Sequence, residues 1–313
     1  MLAVTIPVFG GPEVLQLRRL PRPQLEPGTV LVRVAAAAVN PTDLLLRSGA
    51  QSRFLDGLPP PYIPGMDLAG VVEESADPRW PTGARVAGAV SAWRRCGGAQ
   101  AEVVRVPGDS LMSAAANLSD EEAATLPMNG LTAQLCVEAA AVPPAGDLMV
   151  IGGTGVLGGF VIQIARTRGI RVFADATDAD EEFVRGLGAD VVVPRGDRGC
   201  AAVREVVPEG VDAVVDTAVV GQQALGYLRP GGTLVTVRPA AFDPGAVRDV
   251  RLEYVFVPDH LQDADALARV AELARDGAVT PRVAEVFPPH RVADAHRLTD
   301  RRGVRGRAVL SFC

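Results

Sequence analysis

Residues 147–178 constrain the fold of this chain more than any other stretch. Leu148 to Ile151 form an apolar run of the kind found in strands buried on both faces of a parallel sheet. A glycine-rich turn follows, then apolar residues at helical spacing as far as a stop at Gly169, and then a second predicted strand from Arg171 to Ala174. A strand, a turn, a helix and another strand within about thirty residues predict a βαβ unit.

The turn carries three glycines in the order G-x-G-x-x-G, and this context is typical of a dinucleotide site. Gly153 is expected to permit the tight turn, and Gly155 to let the backbone approach a pyrophosphate. Gly158 is expected to let the helix pack against its strand. The N–H groups at the start of the helix would face the phosphates. A βα turn without a ligand is the alternative, and the flanking strands disfavour it. The predicted phosphate-binding residues are Gly153, Thr154, Gly155, Val156, Leu157 and Gly158.

Composition excludes several classes of protein. The 313 residues are enough for two domains, and no apolar run reaches the ~18 residues of a membrane helix. The N-terminus lacks the features of a signal peptide, so we expect a soluble, cytoplasmic protein that does not bind membranes. A net charge of −6 without a basic block argues against nucleic acid as a partner. All 31 cationic residues are Arg, which excludes a Schiff-base lysine.

Metal and disulfide sites are also disfavoured. The four cysteines form no C-x-x-C motif, and no histidine precedes His260. A tetrahedral zinc site therefore cannot be assembled from N and S ligands in the N-terminal part of the chain.

Two segments of different character follow from the remaining pattern. Residues 1–118 contain short apolar runs separated by Pro and Gly, as in a mostly-β domain. Ser119 and Glu122 form a capping box that opens a helix, and strands then alternate with helices up to residue 276. We expect an α/β protein in which residues 119–276 form a doubly wound parallel sheet. Residues 277–313 are expected to rejoin residues 1–118.

Several motifs in this order resemble the medium-chain dehydrogenase/reductase superfamily, in its zinc-independent quinone oxidoreductase-like branch. The resemblance covers nearly the whole chain. It is carried by the glycine turn and by Ala37 to Asp43, Ile63 to Val72, Leu118 to Ala133 and Leu228 to Val237. It implies a GroES-like, mostly-β catalytic domain and a Rossmann domain. Zinc-dependent relatives carry ligands where this chain has Asn40 and Gly65-Met66-Asp67, so the resemblance implies metal-free chemistry.

The choice between NADPH and NADH depends on the end of the second strand, where an acid binds the ribose of NAD and a 2′-phosphate requires a cation. Counting along the strand places Ala176 in the position of that acid, whereas counting back from Gly188 places Asp175 there. We favour the strand count, which leaves Thr177 beside a 2′-phosphate, and the resemblance adds Arg195 and Arg302 as cations. We predict NADPH, with NADH as the alternative. The resemblance also implies contacts to the cofactor from Asn40, Met128, Thr132, Asp175, Thr217 and Ala218.

The chemistry that the resemblance implies is hydride transfer to a quinone or to the β-carbon of an enone. Asn40 is the first candidate for a catalytic residue, as an amide donor near the nicotinamide, although it could simply form a turn before Pro41. Related enoyl reductases place a Tyr near Gln51, and the nearest Tyr here is Tyr62, so both are candidates. Asp67 could also be catalytic, but a buried carboxylate bonded to the backbone is the simpler expectation.

Two other functions stay open at this point. One is a ketone or enoyl reductase of secondary metabolism with a specific bulky substrate. The other is a non-catalytic nicotinamide-nucleotide sensor or scaffold, which the missing Tyr would suit. The resemblance further implies a homodimer formed through an edge strand near Leu252 to Val257.

Overall fold

The structure is a computed structural model that describes residues 1–239, 242, 249–301 and 303–312. The chain divides into two compact units. The β-rich unit consists of Met1–Met128, Pro258–Gly277 and Pro281–Cys313, and the nucleotide unit consists of Asn129–Val257 and Ala278–Thr280. These borders differ from the predicted ones, because the helix at 264–275 belongs to the β-rich unit, where it packs near residues 111–113.

The strands, in chain order, are β1 (Leu2–Thr5), β2 (Gln16–Arg19), β3 (Thr29–Val39), β4 (Asp67–Ser75), β5 (Arg85–Ala89), β6 (Val103–Pro107), β7 (Leu111–Ser113), β8 (Asp147–Ile151), β9 (Arg171–Asp175), β10 (Val191–Val193), β11 (Val211–Asp216), β12 (Leu228–Thr236), β13 (Arg251–Tyr254), β14 (Val283–Phe287) and β15 (Arg307–Ser311). The α-helices of the described residues are α1 (Pro41–Ser48), α2 (Asp120–Ala123), α3 (Pro127–Ala140), α4 (Val156–Thr167), α5 (Glu181–Gly186), α6 (Asp197–Val206), α7 (Ala264–Arg275) and α8 (Val292–Asp300). Short 3-10 turns connect several of them.

The nucleotide unit contains a six-stranded sheet with the order β10-β9-β8-β11-β12-β13, and all of its pairs are parallel. The chain proceeds from β8 outward to β10 on one side and from β11 outward to β13 on the other. The strand order therefore reverses between β8 and β11. Ligands of open parallel sheets bind at the carboxyl ends of the strands at such a reversal. The predicted doubly wound sheet is confirmed.

Burial explains why β8 and α4 form where they do. Leu148 and Met149 of β8 are fully buried, as a strand with sheet neighbours on both sides and helices on its faces requires. In α4, Phe160 and Ile162 are likewise fully buried. The helix ends at Thr167, and Gly169 adopts a left-handed conformation with φ of 68° that allows the chain to turn into β9.

The β-rich unit is built on a seven-stranded sheet with the order β14-β15-β3-β4-β5-β7, in which β6 also pairs with β3. A separate two-stranded sheet joins β1 and β2. The C-terminal strand β15 pairs antiparallel with β3, and β14 pairs parallel with β15. The C-terminal strand thus lies beside β3 in the sheet of the β-rich unit.

A few predicted elements have other bounds in the structure. The helix α3 begins at Pro127, because proline is well tolerated in the first turn, where its missing N–H would have no helical acceptor. The strand predicted to reach Val257 ends at Tyr254. The capping box is present, since Ser119 N donates to Glu122 Oε2 at 2.9 Å and Glu122 N donates to Ser119 Oγ at 3.1 Å. Among the described residues, no helix combines the length and apolar character needed to cross a bilayer.

Candidate functional site

The glycine turn connects β8 to α4 at the point where the strand order reverses. The left-handed residue of this turn is Gly152, with φ of 87°, which directly precedes Gly153, the glycine to which the sequence assigned the tight turn. A side chain on Gly158 would place its Cβ 2.2 Å from the carbonyl oxygen of Gly152. Gly158 therefore lets α4 approach the end of β8, as predicted.

The start of α4 fits a pyrophosphate. Gly155 is its N-cap in extended conformation, and Gly159 N makes the first helical bond, to Gly155 O at 2.9 Å. The first N–H groups of a helix have no carbonyl acceptor within it, which leaves those of Val156 and Leu157 suited to an anion. A Cβ on Gly155 would have one neighbour within 4 Å, the Gly152 oxygen at 3.2 Å, so the space before the helix is open.

The loop after β11 lies beside this turn. Thr217 Oγ1 donates to the Ile151 carbonyl at 2.7 Å, and a Cβ on Gly152 would contact both Thr217 and Ala218. The structure therefore brings these two predicted residues to the glycine turn. Val219 follows with φ of 58°, a strained conformation for a β-branched residue of the sort concentrated in ligand-binding loops.

Asp216 fixes that loop, and sequence reasoning did not identify it as a site residue. Its Oδ1 accepts from Val220 N at 3.1 Å and its Oδ2 accepts from Gly221 N at 2.9 Å. The signal that could have found it is an acid at the carboxyl end of a buried strand, immediately before a loop at the predicted ligand edge.

Asp175 ends β9, and its carboxylate is directed at the glycine turn. Oδ1 accepts from Gly152 N at 2.6 Å and from Gly153 N at 3.2 Å, and the residue is almost fully buried. Arg195 Nε lies 3.8 Å from Asp175 Oδ2, and Arg195 Nη2 donates to Thr154 Oγ1 at 3.3 Å. Asp175, Arg195 and Thr154 thus come together at one edge of the turn.

The other residues predicted at the end of β9 are placed differently. Ala176 is buried and its N–H donates to the Val193 carbonyl at 3.0 Å. Thr177 is exposed, and its Oγ1 donates to Asp180 Oδ2 at 2.8 Å. Arg302 lies outside the described residues.

Asn40 belongs to a buried polar network at the start of α1 in the β-rich unit. Its side-chain Nδ2 donates to Asp67 Oδ2 at 2.7 Å, and Met128 N donates to Asp67 Oδ1 at 2.6 Å. Its backbone N–H donates to Asp43 Oδ2 at 2.8 Å, and Gly65 N donates to Asp43 Oδ1 at 2.8 Å. Asp67 thus accepts a hydrogen bond from a backbone N–H, as expected from the sequence, and also one from a side-chain amide.

Burial perturbs both carboxyl groups of this network. It raises the pKa of Asp67 to about 7, although the hydrogen bonds from Met128 and Asn40 and the charge of Arg307 act in the opposite direction. It raises the pKa of Asp43 to about 6, again against two backbone hydrogen bonds and Arg307. Perturbed carboxyl groups of this kind are more frequent at functional sites than elsewhere, so the network is a candidate part of the site.

Gln51 and Tyr62, the other predicted catalytic residues, both lie in the β-rich unit near α1. Gln51 precedes a short 3-10 turn at Ser52–Leu55, and its Oε1 is buried without a hydrogen-bond partner among the described residues. Tyr62 stacks on Phe9 with ring centroids 5.7 Å apart, and its hydroxyl donates to the Leu58 carbonyl at 3.2 Å. The structure thus engages the Tyr62 hydroxyl locally, and a proton-donating role for it stays a prediction.

The remaining predicted residues, Met128 and Thr132, both lie on α3 and are nearly buried. Their contact with a cofactor stays a prediction, as does the role of Asn40 as an amide donor. Within residues 1–239, 242, 249–301 and 303–312, no three His, Cys, Asp or Glu side chains are grouped so that they could hold a metal ion.

Comparison with known proteins places both parts of the chain in one group. Residues 26–116 match the alcohol dehydrogenase GroES-like domain, and residues 187–310 match a family described as zinc-binding dehydrogenase. An NADPH-dependent alkenal/one oxidoreductase of Arabidopsis thaliana chloroplasts is 30% identical and aligns with 96% of this chain and 77% of its own length. A quinone oxidoreductase of Lama guanicoe is 29% identical over 99% of this chain and 97% of its own.

Solved structures share the fold over the full length. An NAD-dependent alcohol dehydrogenase superimposes with a TM-score of 0.86 at 27% identity and covers 100% of both chains. A mycobacterial protein complexed with NADPH gives a TM-score of 0.86 at 26% identity and covers 99% of this chain and all of its own.

Proposed function

Because the chain belongs to the quinone oxidoreductase-like branch of the medium-chain dehydrogenase/reductase superfamily, we propose that it reduces quinones or α,β-unsaturated carbonyl compounds with a nicotinamide dinucleotide. The observation that carries the proposal is the glycine turn at the strand-order reversal, where Gly158 lets α4 pack against the turn and Gly155 leaves open space before the helix for a pyrophosphate. The names of the related proteins support the acceptor class, since they include an alkenal/one reductase and a quinone reductase.

The bound dinucleotide supplies the hydride, and the protein supplies binding, orientation and electrostatics. The amides at the start of α4 hold the pyrophosphate, and Asp216 holds the loop that presents Thr217 and Ala218. Asp175 braces the turn itself through the amides of Gly152 and Gly153. These contacts preorganise the site and so reduce the entropic cost of binding the cofactor.

For the cofactor we propose NADPH in preference to NADH. Arg195 beside Thr154 places a cation at the edge of the glycine turn, and a 2′-phosphate requires one there. A related protein is named NADPH-dependent and a similar structure contains NADPH, whereas another similar structure is of an NAD-dependent enzyme. The test is the dissociation constants of both cofactors for the wild type and for Arg195→Ala. Tighter binding of NADH by the wild type would refute the preference.

Asn40 remains our first candidate for a catalytic side chain in the β-rich unit, because Asp67 orients its amide. Gln51 and Tyr62 are the further candidates. A group such as Asn40 can stabilise an enolate or hydroquinone oxygen only if its amide is held in a fixed direction, which the 2.7 Å bond to Asp67 achieves.

The acceptor class is tested by NADPH oxidation with 1,4-benzoquinone, 9,10-phenanthrenequinone and a panel of enones. Oxidation that depends on the acceptor supports the proposal. Turnover only with a single bulky ketone or enone would favour the more specialised reductase. Tight cofactor binding without oxidation by any acceptor would favour a sensor or scaffold.

We also propose that the protein is a homodimer and that it acts in the cytoplasm. The strand β13 lies at the edge of the six-stranded sheet and carries the exposed Tyr254, so a second copy could pair there. Light scattering of the wild type and of Tyr254→Arg tests the dimer. A monomeric wild type would refute it.

A further inference from the structure

The carboxylate of Asp175 is engaged on two sides. Its Oδ1 accepts from both Gly152 N and Gly153 N, and its Oδ2 faces Arg195 Nε at 3.8 Å. An acid in this region of a dinucleotide fold is normally expected to bind ribose hydroxyls, which requires accessible oxygen atoms. The Asp175 side chain is 7% exposed and its Oδ1 is already paired with the turn.

Arg195 is held at the same edge by two different groups. Its Nε side faces Asp175, and its Nη2 donates to Thr154 Oγ1 at 3.3 Å. About half of its side chain is nevertheless exposed, so the guanidinium is restrained at the edge of the turn without being buried. The separation of 3.8 Å from Asp175 exceeds hydrogen-bond length, and an ion pair of this kind can open when a stronger anion arrives.

From these contacts we infer that Asp175 is a cofactor-selectivity residue that acts through Arg195: it braces the glycine turn and restrains the guanidinium that a 2′-phosphate would require. This inference rests on the proposed use of NADPH and deepens it. It assigns to Asp175 a function other than binding ribose.

The electrostatic consequence depends on the cofactor. A 2′-phosphate must compete with the Asp175 carboxylate for Arg195, while the hydroxyl of NADH makes no such demand. The other acids that follow β9 are engaged elsewhere or exposed: Asp180 accepts from Thr177, Glu181 pairs with Arg185, and Asp178 is exposed. Of these acids and Asp175, it is Asp175 that faces Arg195 and competes with a 2′-phosphate there.

The test is cofactor binding measured by calorimetry on the full chain, with NADPH and NADH as the probes. Asp175→Asn keeps an oxygen that can accept from Gly152 N and Gly153 N but removes the charge. We expect it to tighten NADPH binding about tenfold and to leave NADH binding within about twofold. Asp178→Asn, which removes an exposed charge three residues away, is the matched control and should change neither the NADPH nor the NADH dissociation constant.

A double-mutant cycle with Arg195→Ala shows whether Asp175 acts through Arg195. We expect the gain in NADPH affinity to disappear in Asp175→Asn/Arg195→Ala. The inference would be overturned if the gain in NADPH affinity persisted in the double variant, or if Asp175→Asn left the ratio of the NADPH and NADH dissociation constants unchanged. A loss of affinity confined to NADH in Asp175→Asn would overturn it as well. Thermal unfolding of every variant identifies a damaged turn, and Asp175→Ser then repeats the test with a smaller hydroxyl acceptor.

Failure of this inference is distinguishable from failure of the proposed function. Tighter binding of NADH by the wild type would refute the NADPH preference, whatever the variants do. A wild type that prefers NADPH, combined with an unchanged ratio in Asp175→Asn, would refute only the role of Asp175.

Discussion

Asn40 Nδ2 donates to Asp67 Oδ2 at 2.7 Å, and both side chains are completely buried. The carboxylate also accepts from Met128 N, so its two oxygens fix an amide side chain and the first turn of a helix at once. An ionised carboxylate accepts on both oxygens more strongly than the protonated acid, whose hydroxyl oxygen carries a donor and is a weaker acceptor. The protonation state of Asp67 therefore determines how firmly Asn40 is oriented.

This relationship predicts an acid limb in the activity. Burial raises the pKa of Asp67 to about 7, so the orienting bond weakens as the pH falls through that value. We expect kcat/KM of the wild type to fall about fivefold between pH 7 and pH 6, and Asp67→Asn to have lower but flatter activity. The measurement is the pH profile of both proteins and of Asp56→Asn, an exposed control that should retain the limb. An unchanged limb in Asp67→Asn would contradict the role of Asp67.

A second prediction concerns stability in acid. His296 is completely buried, its Nδ1 lies 3.1 Å from Arg47 Nη1, and burial followed by the charge of Arg47 lowers its pKa to about 3. In the unfolded chain the His296 imidazole takes up a proton near pH 6.5, whereas in the folded protein it stays neutral down to about pH 3. The contribution of neutral His296 to the free energy of unfolding is therefore fully present above pH 6.5 and is lost as the pH falls towards 3.

The measurement is the free energy of unfolding of the wild type and of His296→Gln, whose side-chain oxygen can still accept from Arg47. Relative to the variant, the wild type should lose about 1.4 kcal/mol per pH unit below pH 6.5. His290→Gln, at an exposed position, should follow the wild type. Parallel pH dependences for wild type and His296→Gln would show that His296 is protonated in the folded state.

A third prediction tests the packing of the glycine turn. In Gly158→Ala the new Cβ would meet backbone atoms of Gly152 at 2.2 and 2.8 Å, which cannot move independently of β8. We expect a loss of roughly 1–3 kcal/mol in unfolding free energy together with much weaker cofactor binding. Gly186→Ala in α5 is the control, because nothing lies within 4 Å of its Cβ. That variant should be neutral or slightly more stable. Normal cofactor affinity in Gly158→Ala would contradict the close packing.

The parts of the site that were predictable from the sequence are those encoded locally. The glycine turn, the capping box at Ser119 and the alternation of strands and helices each depend on residues within one or two elements. The strand β9 ends at Asp175 and Ala176 follows it, so the placement of Ala176 in the position of the ribose-binding acid stays a prediction. Gly153 was assigned the tight turn because it begins the motif, and the left-handed residue of that turn is its neighbour Gly152.

The parts that were not predictable depend on contacts between distant residues. The network around Asn40 joins residues 40, 43, 67 and 128, and the charge of Arg307 acts on both of its carboxyl groups. The pair of Arg47 and His296 joins positions 249 residues apart. No periodicity links such positions, because the sheet pairings of β3 and the packing of α8 bring them together.

The central claim, hydride transfer from NADPH to an activated double bond, is tested most directly by isotope transfer. The enzyme is supplied with NADPH carrying deuterium at C4 of the reduced ring and with oct-1-en-3-one, and the product is analysed by mass spectrometry. When the deuterium occupies the C4 position from which the hydride is transferred, we predict octan-3-one with one deuterium at its β-carbon. The opposite C4 epimer should give unlabelled ketone. Bound cofactor that is oxidised neither by this enone nor by 1,4-benzoquinone, or a saturated ketone without label from both epimers, would contradict the account.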